Sequence, residues 1–202
     1  MKPTAKKRPA RTKGPDIPIR AFKDARAFDS WLGKNRAAAG GIWMRMAKKA
    51  SGTKSISSLE ALEVALCHGW IDAQKLPESE TTWLQRFVPR RPRSIWSKIN
   101  REKALALIAK GEMKPAGLAE IERAKSDGRW DDAYDSFSGA TVPADFAQEL
   151  ERHPKAKAFF KTLSKTNSYA ITWRLQTAKK PETRERRIRT FIEMLEKGET
   201  LH

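Results

Sequence analysis

The chain has 202 residues, with 41 Lys and Arg against 24 Asp and Glu, and a formal net charge of +17. A hydrophobic content of 39% with seven tryptophans suffices for a true core and excludes a wholly disordered protein. A single cysteine, Cys67, excludes an internal disulfide, and three scattered histidines, His68, His153 and His202, speak against a zinc site.

No apolar run approaches a membrane span and the N-terminus lacks the apolar core of a secretory signal, so a cytoplasmic protein without membrane insertion is expected. The surplus charge is spread out. Residues 1–20 hold seven basic side chains and one acid, residues 21–140 hold 21 and 15, and residues 141–202 hold 13 and 8. Such a distribution favours a polyanion, an anionic ligand or an acidic protein partner, and it fits equally a basic protein with no nucleic-acid role.

Residues 1–20 read as a disordered basic tail, in which Lys2, Lys6, Lys7, Arg8, Arg11 and Lys13 alternate with prolines and small residues. The folded part is expected from about Phe22. Phe28, Trp31 and Leu32 share one face of a short helix that Gly40-Gly41 brings to a stop. Ile42 to Lys48 alternates as a strand, with Ile42, Met44 and Met46 on one side and Trp43 and Arg45 on the other. Ser57 and Glu60 make a capping box for a helix whose apolar residues are Leu59, Leu62, Val64 and Leu66, ending at Gly69. Residues 70–75 and 81–88 read as strands of an antiparallel hairpin turning at Pro77-Glu78. From Ser94 a long helix is expected, with Ile95, Ile99, Leu105 and Ile108 as its apolar stripe and Gly111 as its stop. A second helix opens at Pro115, carrying Leu118, Ile121 and Ala124. Residues 131–143 look irregular. The remainder is helical: 145–152, 154–163, a segment about Trp173, and a last helix from Pro181 with Ile188, Phe191, Ile192 and Leu195 at i, i+3, i+4 and i+7.

The richest stretch chemically is 83–101, where Arg86, Arg90, Arg91, Arg93, Lys98 and Arg101 lie among Trp83, Phe87 and Trp96. Arg90, Arg91 and Arg93 fall at a strand-to-helix turn, with Ser94 at the N-cap and Ser97 and Asn100 on the opening turns of the helix. Guanidinium groups beside free helix N–H groups suit an anion. The alternative is a clamp, in which Arg90 or Arg93 pairs with a carboxylate such as Asp72. Trp43, Arg45, Trp70, Asp72 and Trp96 are candidates for an aromatic-walled pocket, and equally for core. Adjacent Cys67 and His68 on a helix end point in different directions, so Cys67 reads as a small buried residue rather than a nucleophile. Arg184, Arg186 and Arg187, early in the last helix, sit unfavourably for its dipole and hint at an anionic partner or at an acidic surface on the sheet domain. No Walker loop, dinucleotide fingerprint, nucleophile elbow or HExxH is present, so neither catalytic residues, a metal nor a cofactor are expected.

The segments ALCHGWID (65–72), PRRPRSIWSKIN (89–100), MKPAGL (113–118), DGRW (127–130) and AKKPETRERRI (178–188) follow one another in an order that resembles the YdeI/OmpD-associated family, the bacteriocin-protection-like proteins. The resemblance runs from Phe22 to Gly198. Ala73 stands where the family usually has glycine, and Leu59 where it often has an aromatic. The resemblance implies protection against bacteriocins or cationic peptides and an association with an outer-membrane porin, but no particular reaction.

The expectation is therefore an α+β protein. A small antiparallel sheet of about three strands is packed by helices over 21–140, the YdeI/OmpD-associated-like domain, and an all-helical module fills 141–202. Functionally, the leading reading is a non-catalytic binding protein with an arginine-rich anion site. A nucleic-acid binder using Lys6, Lys7, Arg8, the turn and the last helix stands beside it, as does a small-molecule enzyme. Oligomeric state is not legible in the sequence.

Overall fold

The computed structural model describes residues 17–35 and 38–202. The chain is α+β, and among the described residues it has one four-stranded sheet and an all-helical C-terminal region. It divides into two compact units. The described residues up to Ser94 group with Ala106–Arg123, and Ile95–Leu105 groups with Ala124–His202.

The first unit carries β1 (Ile19–Ala21), α1 (Ala25–Lys34), β2 (Ile42–Ala47), α2 (Ser58–Cys67), β3 (Trp70–Pro77) and β4 (Thr82–Pro89), in the sheet order β1-β2-β4-β3. β2, β4 and β3 form the expected antiparallel sheet, to which β1 adds a short parallel edge strand paired Ile19 with Trp43. All three residues of β1 are exposed, so no alternation announces it. The expected tail 1–20 meets the described residues only at 17–20, where Ile19 and Arg20 enter this strand.

β2 alternates as its sequence requires: Ile42, Met44 and Met46 are buried, whereas Arg45 is exposed. Opposite them on β4 sits Phe87, paired with Ile42. This inner face packs under α1 and α2, with Phe22, Phe28, Leu32, Ala61, Ala65 and Trp70 filling the space. Phe28 meets Phe87 at 5.4 Å between ring centres and Trp31 meets Trp70 at 6.1 Å. Asp24 starts α1 by accepting from the Ala27 N–H at 2.9 Å. The Ser57–Glu60 capping box is present in full, the Glu60 N–H reaching Ser57 Oγ at 3.2 Å and the Ser57 N–H reaching Glu60 Oε2 at 2.9 Å. The face that α2 buries keeps Leu66 of the expected stripe, with Val64 partly buried against the core. Ala61, Ala65, Leu66 and Cys67 turn inward while Leu59 is 51% exposed. The small alanines let the helix lie close to the sheet.

The division between units falls within α3 (Lys98–Ala109) and within α4 (Pro115–Ser126). The expected stripe on α3 is overturned: Ile95, Ile99, Leu105 and Ile108 are all exposed, and Ala104 and Leu107 are buried. At about 100° per residue, Leu105 and Ile108 stand roughly 240° and 180° round the helix from Ile99, so these residues never shared a face. On α4, Ile121 and Ala124 are buried as expected but Leu118 is 40% exposed.

In the second unit α5 (Ala144–Arg152), α6 (Pro154–Thr162), α7 (Lys165–Gln176) and α8 (Pro181–Glu196) enclose Phe146, Leu150, Ile171, Leu175, Phe191, Ile192 and Leu195. Residues 131–143 form no helix. Asp135 fastens them, taking the Lys98 ammonium at 2.6 Å and the Gln176 amide at 2.7 Å.

Two glycines make opposite predictions. Gly41 has φ +73°, and a Cβ there would lie 2.2 Å from the Phe87 carbonyl oxygen, so Gly41→Ala should cost about 2–4 kcal/mol in a urea melt. Gly33, inside α1 with nothing near its missing Cβ, should give about 0.5–1 kcal/mol of stabilisation as Gly33→Ala.

Candidate functional site

The arginine-rich block divides after Ser94, its first part lying in the first unit. Arg90 is buried, 6% exposed, and its N–H donates to the Gly69 carbonyl at 2.9 Å. Its charge also acts on Asp72, whose carboxyl is pushed up by burial and drawn back by Lys75 and Arg90. Arg91 and Arg93 are exposed. Their turn is held by its backbone: the Arg91 N–H donates to Ser94 Oγ at 2.9 Å, the Ser94 N–H donates to the Arg91 carbonyl at 2.9 Å, and Arg123 Nη2 donates to that carbonyl at 3.1 Å.

Ser94 therefore closes a turn and is not the expected helix N-cap. α3 begins at Lys98, and Ser97 caps it by accepting from the Asn100 N–H at 3.3 Å. The Lys98 N–H is taken by the Tyr134 carbonyl at 2.8 Å. Two amides at the helix start, those of Lys98 and Asn100, are thus already bonded within the chain.

The expected pocket does not assemble. Trp43 and Arg45 stand on the outer face of the sheet, opposite the core. Trp70 is 2% exposed, in the inner core under α1 and α2, and Asp72 pairs with Phe87 on that same side. A register shift between Asp72 and Lys75 puts Gln74 on the outer face with Arg86, away from the side that Trp70 and Asp72 share. Trp96, 2% exposed, packs edge-on against Trp130 at 4.9 Å in the second unit. On the outer face Trp43 pairs with Arg86 and lies 6.0 Å beneath its guanidinium, which donates to Gln74 Oε1 at 3.3 Å and to the Gly40 carbonyl at 3.2 Å. Arg45 is held by Glu78 through three bonds, of 3.0, 2.8 and 2.6 Å.

Cys67 is buried, and burial together with the Glu112 carboxylate pushes its thiol up to about 11. The neighbouring His68 turns to α1, its Nε2 2.8 Å from Asp29 Oδ1. A cleft of about 500 Å³ opens beside Cys67, walled by Asp29, Glu63, Glu112 and Lys114. A protonated thiol has no nucleophilic character at neutral pH. Among the described residues no three His, Cys, Asp or Glu side chains gather so as to hold a metal ion, and no helix is long and apolar enough to cross a membrane.

On α8 the expected basic row is largely engaged within the second unit. Arg184 grips Asp145 at 2.5 and 2.7 Å and the Leu175 carbonyl at 2.6 Å, and Arg187 donates to the Arg174 carbonyl. Arg186 and Arg189 are exposed. Lys6, Lys7 and Arg8 lie outside the described residues.

Sequence reasoning passed over two features. One is a cleft of about 650 Å³ between α5 and α8, floored by Ile188 and Ile192 and rimmed by Arg184, Glu185 and Arg189. At its end His153, between α5 and α6, has Nδ1 2.8 Å from Glu196 and Nε2 3.3 Å from Glu149. Only the i,i+4 spacing of Glu149 to His153 was visible in the sequence. The other is the Trp43–Arg86 pair, whose contact depends on strand register.

Two of these placements can be tested directly. The Glu196 and Glu149 carboxylates raise the His153 imidazolium above its ordinary value of 6.5. Its contribution is therefore complete below pH 6.5 and lost as pH rises through the raised value. Thermal melts of wild type should fall over that interval relative to His153→Gln, and parallel pH profiles would count against the bridge. Ellman's reagent should label Cys67 slowly in native protein and promptly in urea.

Over residues 139–198 the chain matches the family described as Bacteriocin-protection, YdeI or OmpD-Associated, and over residues 20–120 it matches a Domain of unknown function (DUF8412). Residues 178–188 fall in the first of these matches, and 65–72, 89–100 and 113–118 in the second. No curated protein and no solved structure matches. The chain belongs to the family of the domain of unknown function that spans half its length, and its C-terminal helices carry a YdeI/OmpD-associated domain.

Proposed function

We propose that the chain is a non-catalytic cytoplasmic binding protein of the YdeI/OmpD-associated type, which takes an anionic ligand or acidic partner at the Arg91–Arg93 turn. The observation that carries this reading is the closure of that turn by Ser94 and Arg123, which leaves the Arg91 and Arg93 side chains exposed. A turn already ordered by its backbone loses less entropy on binding than a mobile arm, and arginine grips phosphate or carboxylate two-pronged. The net charge of +17 favours encounter with an anion. The bacteriocin-protection description of the C-terminal match supplies the setting, tolerance of bacteriocin or related stress. The protonated Cys67 supports binding over nucleophilic chemistry.

Binding of labelled inorganic polyphosphate to full-length protein, measured across a salt series, tests the locus. Arg91→Ala/Arg93→Ala should weaken binding and lower the salt slope by roughly two, one per lost phosphate contact. An unchanged affinity and slope in a folded double variant would remove the turn from the function.

A further inference from the structure

We propose that the outer face of the sheet is a platform for single-stranded nucleic acid, with a base seated at Trp43 and Arg86 and the backbone running toward Arg91 and Arg93. The inference rests on the anion-binding reading of that turn and names its ligand class.

Register builds the platform. Trp43 on β2 is flanked by Ile19 of β1 and by Arg86 of β4. The Arg86 guanidinium lies over the indole and is tied to Gln74 Oε1 and the Gly40 carbonyl, so an ordered cationic plane is backed by an aromatic one. Aromatic rings and arginine planes are the surfaces on which unpaired bases stack, whatever their sequence. Ile19 and Leu76 at the edges of this face are 48% and 43% exposed, and Trp43 and Arg86 between them are half-buried.

Charge supplies the direction. Glu78, the acid that meets this face, is occupied by Arg45 and by the Thr82 hydroxyl at 2.8 Å. From Arg86 the chain continues along β4 to the exposed Arg91 and Arg93, five and seven residues on. At about 3.4 Å per residue for the extended part, this spans a few nucleotides of single strand. A duplex keeps its bases stacked internally and offers none to Trp43.

Fluorescence anisotropy on the full-length chain tests the platform, using labelled oligo-U and oligo-dT of about 12 nucleotides, a duplex of the same length and inorganic polyphosphate. Wild type should bind the single strands more tightly than the duplex. Trp43→Leu should weaken single-strand binding about tenfold or more while polyphosphate affinity stays unchanged, and Trp43→Phe should restore most of it. Arg91→Ala/Arg93→Ala should weaken both single strands and polyphosphate. Wild-type binding with no preference for single strands, or folded Trp43→Leu and Arg86→Gln variants that bind like wild type, would overturn the platform. The anion-binding turn would then stand or fall on the polyphosphate result alone. Should Trp43→Leu fail to fold, Arg86→Gln takes its place in the same measurement, with the same loss of single-strand affinity expected.

Discussion

The antiparallel pairing of β2 with β4 carries the first unit. Ile42 opposite Phe87 and Met44 opposite Gln85 send one set of side chains into the core beneath α1 and α2. Trp43 opposite Arg86 and Arg45 opposite Leu84 place the other set on the outer face, where Arg45 is exposed and Trp43 and Arg86 are half-buried. A slip of one residue would exchange the two faces, exposing methionines and burying an arginine. Burying Ile42, Met44, Met46 and Phe87 is worth about 1.5–3 kcal/mol each, which against a net stability of about 5–15 kcal/mol leaves one tenable register. The pairing also demands Gly41, because β2 starts so close to the Phe87 carbonyl that no Cβ fits.

A second constraint is electrostatic. A chain with a net charge of +17 repels itself, and the second unit places its carboxylates where they hold irregular or terminal segments. Asp135 secures the non-helical stretch to Lys98 and Gln176, Asp145 secures the start of α8 through Arg184, and Glu149 with Glu196 holds His153 at the α5–α6 junction. In the first unit Glu78 holds Arg45 and Glu120 holds Arg123. Exposed cations such as Arg91, Arg93 and Arg186 are thus set apart from those with structural work, a distinction that charge counts along the chain do not reveal.

Local signals were legible wherever one element alone produced them. The alternation of 42–46, the Ser57–Glu60 box and the i, i+3, i+4, i+7 spacing of Ile188, Phe191, Ile192 and Leu195 each reflect the geometry of a single strand or helix. β1 has three exposed residues and exists only because β2 offers it an edge. The apolar stripe read on α3 mistook abundance for periodicity, since its exposed isoleucines and leucine lie on different sides of the helix. Ser94 looked like an N-cap because a hydroxyl that closes a turn and one that caps a helix have the same local sequence.

The sequence by itself determined the α+β class, the charge, the helical C-terminal region and which arginines were worth following. It did so because hydrophobic period, capping chemistry and net charge are local or additive properties. Tertiary structure alone decided that Arg90 is buried while Arg91 and Arg93 stay exposed, that Trp70 is core while Trp43 faces out under Arg86, and that Gln74 leaves the side of Asp72. Those outcomes depend on strand register and on one irregularity in β3, which arise from the pairing of segments distant in the chain and leave no mark on any of them singly.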